Sequence, residues 1–321
     1  MIEAEGLTKD FNDFRAVDQI TMRVEPGTVF AILGPNGAGK TTTVRMLTSI
    51  LLPTSGRASV AGYDVVKHPE HVRASVGVLT EQHGLYERMK ALEYLDFFGR
   101  VYHLSSDQTR KAGYALMERF GLADALNKRI GEYSKGMKQK LALVRSMLHN
   151  PPVLLLDEPT SAMDPQSAKQ VRDAMSELKR DRRTIVLTTH NLTEAQQLAD
   201  QIGVIRRGKL IANGTFAELS RRFVGDPLME VQFAQPVNGV ARELAGVVTV
   251  EASGENWLRY RATDPARTNP AVLRTLMAHG AEIVTLSEVQ QSLEAVYLQI
   301  VAEDEGLTDG LTVEAMKAKG A

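Results

Sequence analysis

The 321-residue sequence predicts an α/β core followed by a smaller α+β domain, and three observations carry that expectation. Short apolar runs at 28–33 (TVFAIL), 153–156 (VLLL), 184–189 (TIVLTT) and 202–205 (IGVI) are separated by helical patterns, as in a mostly parallel sheet covered by helices. Residues 84–150 carry several helical patterns, among them ALEYLDFFGRVYHL and ALMERFGLADAL, and no convincing strand, so a helical subdomain is inserted in the core. After VGDP (224–227) the order becomes strand, helix, strand, strand, helix, strand, the βαββαβ order of a ferredoxin-like unit.

The elements follow from local pattern. TVFAIL is apolar and partly β-branched, and beyond a Gly-rich turn TTTVRMLTSILL repeats its apolar positions at helical spacing: a strand, a loop and a helix. The inserted segment holds Tyr86, Tyr94, Phe97, Phe98 and Tyr102 at helical spacing, which reads more readily as core than as a partner surface. Behind the Gly-Asp-Pro break, LMEVQF, NGVARELAG, VVTVEA, NWLRYRA, PAVLRTLMAHG and AEIVTLS supply the six elements of the second domain. Leu293, Val296, Tyr297, Ile300 and Val301 then form an apolar stripe on a terminal helix, and the polar, Gly-punctuated remainder is expected to fray. The expected organisation is a first domain over 1–222 with its helical subdomain at about 84–150, a second domain over 228–302, and a flexible tail over 303–321.

Composition narrows the chemistry. Lys plus Arg (38) and Asp plus Glu (39) cancel to a formal charge of −1, which removes the bulk electrostatic argument for a nucleic-acid partner. The absence of cysteine excludes disulfides, thiolate zinc sites, iron–sulfur clusters and cysteine nucleophiles, leaving oxygen and nitrogen ligands. The opening MIEAEGLTKDF lacks a basic stretch followed by an apolar one, so it does not read as a signal peptide. No run approaches the ~18 apolar residues that span a bilayer, so the default address is the cytoplasm and any membrane work needs another chain.

Gly34-Pro35-Asn36-Gly37-Ala38-Gly39-Lys40-Thr41 satisfies GxxxxGK[ST] immediately after a strand and at the opening of a helix. Glycines let backbone N–H groups turn inward around polyphosphate oxygens, and the helix N-terminus adds favourable partial charge. Lys40 is placed to reach the β- and γ-phosphates and the Thr41 hydroxyl to ligate Mg²⁺. VLLLDEP (153–159) ends a buried strand in two carboxylates that an apolar core does not need. Beside the phosphate loop, Asp157 can hold Mg²⁺ through water and Glu158 can orient or deprotonate the attacking water. His190 closes TIVLTTH, where it could touch a γ-phosphate or simply be a solvated strand end.

At YSKGMKQK (133–140) a Ser and a Gly open an apolar helix ahead of that carboxylate strand, and the chain resembles an ABC-type ATP-binding subunit. The resemblance runs in order through the phosphate loop Gly34 to Thr42, the signature segment Tyr133 to Met137, Asp157 and Glu158, the loop Ser161-Ala162-Met163-Asp164 and His190, most of residues 1–222. It implies a P-loop ABC ATPase core using ATP and Mg²⁺, with His190 as the switch histidine and Asp164 at the nucleotide site. It further implies that Phe11 stacks on adenine, with Phe14 the neighbouring alternative. Ser134 and Gly136 correspond to residues that approach the γ-phosphate from the opposite subunit, so the implied active form is a head-to-tail dimer, homodimeric or paired with a related ATPase subunit. The family's metal- and water-contacting Gln aligns on Glu81, with Gln82 one residue later. Lys135 and Met137 also depart from the usual signature, although the contacting Ser and Gly remain.

The helical insertion, the YSKGMKQ signature and the QQSLEAVYLQIV ending are similar to the drug-, antibiotic- and polyketide-exporter branch of the family. That implies an exporter subunit at the cytoplasmic face of the membrane, bound to a separately encoded transmembrane permease, with a regulatory or dimer-supporting C-terminal domain. The other reading is a non-transport ABC ATPase acting on ribosomes or nucleic acid. Against it stand the single cassette, the neutral charge and the lack of a long coiled-coil insertion. A GTPase has little support, because Asn127-Lys128-Arg129-Ile130 lacks the acid of a guanine reader.

Overall fold

The computed structural model describes residues 1–80, 84–161, 163–236 and 239–306. The chain forms two compact units, Met1–Phe216 and Ala217–Ala321. In the first, the elements run β1 (Ile2–Phe11), β2 (Phe14–Val24), β3 (Val29–Leu33), α1 (Lys40–Leu47), β4 (Ser55–Val60), β5 (Tyr63–Asp64), α2 (Pro69–Ser75) and β6 (Val76–Leu79). They continue with α3 (Ala91–Val101), α4 (Ser106–Arg119), α5 (Lys135–Met147), β7 (Val153–Asp157), α6 (Pro165–Arg180), β8 (Thr184–Thr189), α7 (Leu192–Leu198), β9 (Gln201–Arg206) and β10 (Lys209–Gly214).

A six-stranded sheet in the order β10-β9-β3-β8-β7-β6 forms the centre, parallel throughout except for β10 at one edge. Its central strands β3, β7 and β8 are buried at every residue, which is why they read as continuous apolar runs rather than as alternating ones. An antiparallel sheet, β2-β1-β4-β5, lies alongside and was not foreseen from the sequence. Ile2, Leu7, Ile20 and Val24 from that sheet share one apolar cluster with Phe30, Ile32, Leu155 and Val186 of the parallel sheet and Val44 and Leu47 of α1. The core therefore runs beneath the loop that joins β3 to α1. Between β6 and β7 the chain forms α3, α4 and α5, with two short 3-10 turns and no strand among the described residues.

The second unit contains α8 (Phe216–Phe223, whose first residue ends the first unit), β11 (Leu228–Phe233), α9 (Val240–Glu243), β12 (Val250–Ser253), β13 (Trp257–Arg261), α10 (Pro265–Ala278), β14 (Ile283–Glu288) and α11 (Leu293–Asp304). Its sheet is antiparallel in the order β12-β13-β11-β14, so β11, first in sequence, lies between β13 and β14. That is the arrangement a split βαβ unit requires. Met229, Val231, Leu258 and Tyr260 pack against Val272 and Leu276 of α10. The helix expected from Pro270 instead begins at Pro265. Asp264 caps it by accepting from the Ala266 and Arg267 N–H groups, and Pro270 falls inside it. The VGDP break is tied down: the Asp226 carbonyl accepts from Arg261 Nη1 at 2.7 Å, and the Asp226 carboxylate accepts from Thr263 Oγ1 at 2.6 Å. Residues 307–321, most of the expected tail, lie outside the described residues. Among the described residues no helix is long and apolar enough to cross a membrane.

Candidate functional site

The phosphate loop is shaped by close packing. Gly34 passes so near β9 that a Cβ there would stand 2.2 Å from the Ile205 carbonyl oxygen. Gly39 has φ +106° and would strike the Ala16 carbonyl at 2.6 Å, so close packing demands glycine at both positions and the backbone conformation demands it at Gly39 as well. The loop delivers the chain into α1, whose first turn holds no acidic residue and whose first residue is Lys40. The Lys40 side chain is only 6% exposed, and its Nζ donates to the Gly34 and Pro35 carbonyls at 2.7 and 3.2 Å.

A cleft of about 670 Å³ opens over this helix start, lined on the loop side by Asn36, Gly37, Gly39, Lys40, Thr41 and Thr42 and opposite by Glu158, Ser161 and His190. The Glu158 carboxylate lies 3.5 Å from Lys40 Nζ and 2.9 Å from His190 Nδ1. Glu158 adopts φ +50°, the left-handed region that a residue with a Cβ occupies at a cost of about 1–3 kcal/mol. That conformation is held from two sides. Its N–H lies 3.1 Å from both the Thr188 carbonyl and the Thr188 hydroxyl, and its carbonyl accepts from Gln139 Nε2 at 3.0 Å.

Thr41 Oγ1 donates to the Asp157 carboxylate at 2.8 Å, and Thr188 Oγ1 donates to the other Asp157 oxygen. A hydroxyl and a carboxylate in contact at the mouth of a phosphate loop are the hard oxygen donors that Mg²⁺ prefers, so the residues present fit that ion. No group of three or more acidic, His or Cys side chains suited to a metal exists among the described residues. An ion held by one carboxylate, one hydroxyl and phosphate oxygens does not need such a group.

Other expected site residues stand elsewhere. Ser134 caps α5, accepting from the Met137 N–H at 3.2 Å, and Asp164 caps α6, accepting from the Ser167 N–H at 2.9 Å. Hydrogen bonds from Ser167 lower the Asp164 pKa. Gly136 faces the start of α6, since a Cβ on it would lie 3.9 Å from an Asp164 oxygen. Ser134, Gly136 and Asp164 do not line the cleft. Of the two aromatic candidates, Phe14 lines it; Phe11 is paired with Phe14 across the β1–β2 hairpin, is absent from the lining and has Lys9 Nζ 5.1 Å from its ring centroid. Glu81 and Gln82 lie outside the described residues, as does Ala162.

Residues 17–161 match the family described as ABC transporter. The chain is 38% identical over 305 residues to the daunorubicin resistance ATP-binding protein DrrA3 of Streptomyces coeruleorubidus, covering 94% of this chain and 96% of that protein. The chain belongs to the ABC transporter family. It is accordingly an ATP-binding, ATP-hydrolysing subunit of that family. Linearmycin resistance ATP-binding protein LnrL of Bacillus subtilis (strain 168) is 30% identical over 309 residues, with 94% of this chain and 98% of LnrL covered. A solved ATP-binding subunit of an ABC transporter superposes with a TM-score of 0.65 at 30% identity, over 70% of this chain and 94% of that one.

Two buried polar residues that bind the segments flanking Glu158 and His190 escaped the sequence reading. Gln139, 4% exposed on the signature helix α5, donates through Nε2 to the Glu158 and Pro159 carbonyls at 3.0 and 2.8 Å. Glu194, 2% exposed on α7, accepts hydroxyl hydrogen bonds from Thr160 and Thr189. A polar residue within an otherwise buried helical stripe was the available signal in both cases, and it names no partner.

Proposed function

We propose that this chain is the ATPase subunit of an exporter of drug- or antibiotic-type compounds, bound to a separately encoded transmembrane permease at the cytoplasmic face of the membrane. The observation that carries the ATPase part of the reading is the convergence of Lys40, Glu158 and His190 in one cleft beside the Thr41–Asp157 pair. In this reading Lys40 and the loop N–H groups neutralise the β- and γ-phosphates, while Thr41 and Asp157 hold Mg²⁺. That ion supplies charge neutralisation on the phosphate oxygens when bound. Glu158 orients the attacking water and takes its proton as the bond to the γ-phosphorus forms and ADP leaves, and His190 steadies the carboxylate and meets the γ-phosphate.

Ser134 and Gly136 stand at the N-terminus of α5, outside their own cleft, which supports their use on the nucleotide of a second ATPase subunit, identical or related. Phe14 and Phe11, at the tip of one hairpin, are the stacking candidates for adenine. The exporter assignment is supported by the resistance proteins among the relatives. Reconstitution tests it. With its permease in sealed vesicles, the chain should drive ATP-dependent movement of a daunorubicin-type amphipathic drug, and Lys40→Ala should abolish that movement. ATP turnover insensitive to both the permease and the drug would sink the exporter reading.

A further inference from the structure

Glu194 sits in the first turn of α7, four residues beyond His190, and is 2% exposed, a burial that a carboxylate tolerates only with partners. Each of its oxygens receives one hydroxyl: Thr160 Oγ1 donates at 2.6 Å to Oε1, and Thr189 Oγ1 donates at 2.7 Å to Oε2. Thr160 lies two residues beyond Glu158 in the loop after β7, and Thr189 immediately precedes His190 at the end of β8. The clamp closes on itself, because Thr189 Oγ1 accepts from the Asn191 N–H at 3.0 Å and Asn191 Oδ1 accepts from the Glu194 N–H at 3.1 Å.

We propose that Glu194 is a positioning residue for hydrolysis: it ties the loop after β7 to the end of β8 and so holds the Glu158 carboxylate against His190. The proposal rests on the catalytic reading of Glu158 and His190 given above. Neither residue touches Glu194 by hydrogen bond; the link runs through Thr160 on one side and Thr189 on the other. The charge balance around it fits a group kept for geometry. Burial pushes the Glu194 pKa up, the two threonine hydroxyls pull it down, and of the charges facing it Glu158 raises it while Arg172 of α6 lowers it. A carboxyl whose folded pKa lies above its unfolded value loses stability as pH rises through that interval, so the ionised form costs stability at neutral pH.

The test uses the full-length chain with E194Q, H190A, their double variant and T160V. The expected result is a fall in kcat of about 10- to 100-fold for E194Q, with KM for ATP unchanged and Tm unchanged or raised. Added to H190A, the E194Q change should cost little more, since the pair it positions is already broken. T160V, which removes one arm and leaves the carboxylate, should lower kcat in the same direction. Wild-type kcat in E194Q, a full multiplication of the two losses in the double variant, or a loss of kcat accompanied by lower Tm and higher KM would each overturn the proposal. If E194Q does not fold, wild-type kcat in both T160V and T189V overturns it. H190A turning over like the wild type would overturn the His190 assignment itself, an outcome distinct from additivity with an impaired H190A.

Discussion

In the proposed mechanism Lys40 and Glu158 divide binding from chemistry although they stand 3.5 Å apart. The lysine is the cation at the helix start, so Lys40→Ala should weaken ATP binding, read directly by nucleotide titration. The carboxylate is placed to take a proton from water, so Glu158→Gln should keep ATP affinity and lower turnover by ~10²-fold or more. Wild-type turnover in Glu158→Gln would show that the base lies elsewhere. The left-handed backbone at Glu158 belongs to the same argument. A non-glycine residue is held at φ +50° because Thr188 on one side and Gln139 on the other satisfy its N–H and its carbonyl, and the reward is a carboxylate aimed between Lys40 and His190.

At the scale of elements, helix α5 faces two ways. Gln139 in its second turn grips the turn that carries Glu158, whereas Ser134 and Gly136 at its start take no part in lining the cleft of the same chain. If those residues complete the site of a second subunit, Ala38 of one chain and Lys135 of another should come close. The lack of native cysteine makes this a clean experiment. Ala38→Cys and Lys135→Cys, placed on separately tagged copies in the Glu158→Gln background, should be joined by a short thiol crosslinker with ATP and poorly without it. Failure to crosslink in folded, ATP-bound protein would count against the shared site.

On the scale of the whole first unit, one junction joins its helical insertion to the parallel sheet. His149 follows α5, its Nε2 lies 3.2 Å from the Val76 carbonyl of β6, and its ring stacks on Tyr102 at the end of α3, with centroids 3.8 Å apart and planes 8° from parallel. Burial pushes its pKa from 6.5 down to about 4, and the nearby positive charge of Arg183 also lowers it, against the hydrogen bond to Val76. The unfolded chain therefore takes up this proton first. Stability should be highest above pH 6.5 and fall as pH drops toward about 4. His149→Phe keeps an aromatic ring against Tyr102 and removes the titration, so the fall in Tm across that interval should shrink. An identical pH profile in the variant would assign the acid sensitivity to other groups.

The sequence by itself determined the features that neighbouring residues encode. The phosphate loop, the carboxylate pair at a strand end and the Ser134–Gly136 helix start are short, ordered patterns, and the four-stranded arrangement of the second unit follows from its order of elements. The family resemblance rests on the same local motifs. Tertiary structure decided what required distant partners. The sheet β2-β1-β4-β5 pairs strands from opposite sides of the phosphate loop, with irregular register that blurs the alternation a strand normally shows. Thr41 meets Asp157 across 116 positions, Gln139 reaches the Glu158 carbonyl across 19, and Glu194 reaches Thr160 across 34. Which hairpin aromatic lines the cleft was likewise decided only in three dimensions, since Phe14 lines it and its cross-strand partner Phe11 does not. A hydrogen bond needs its two atoms within about 3 Å, and nothing in the spacing of residues along a chain specifies that distance until the sheet has brought its strand ends together.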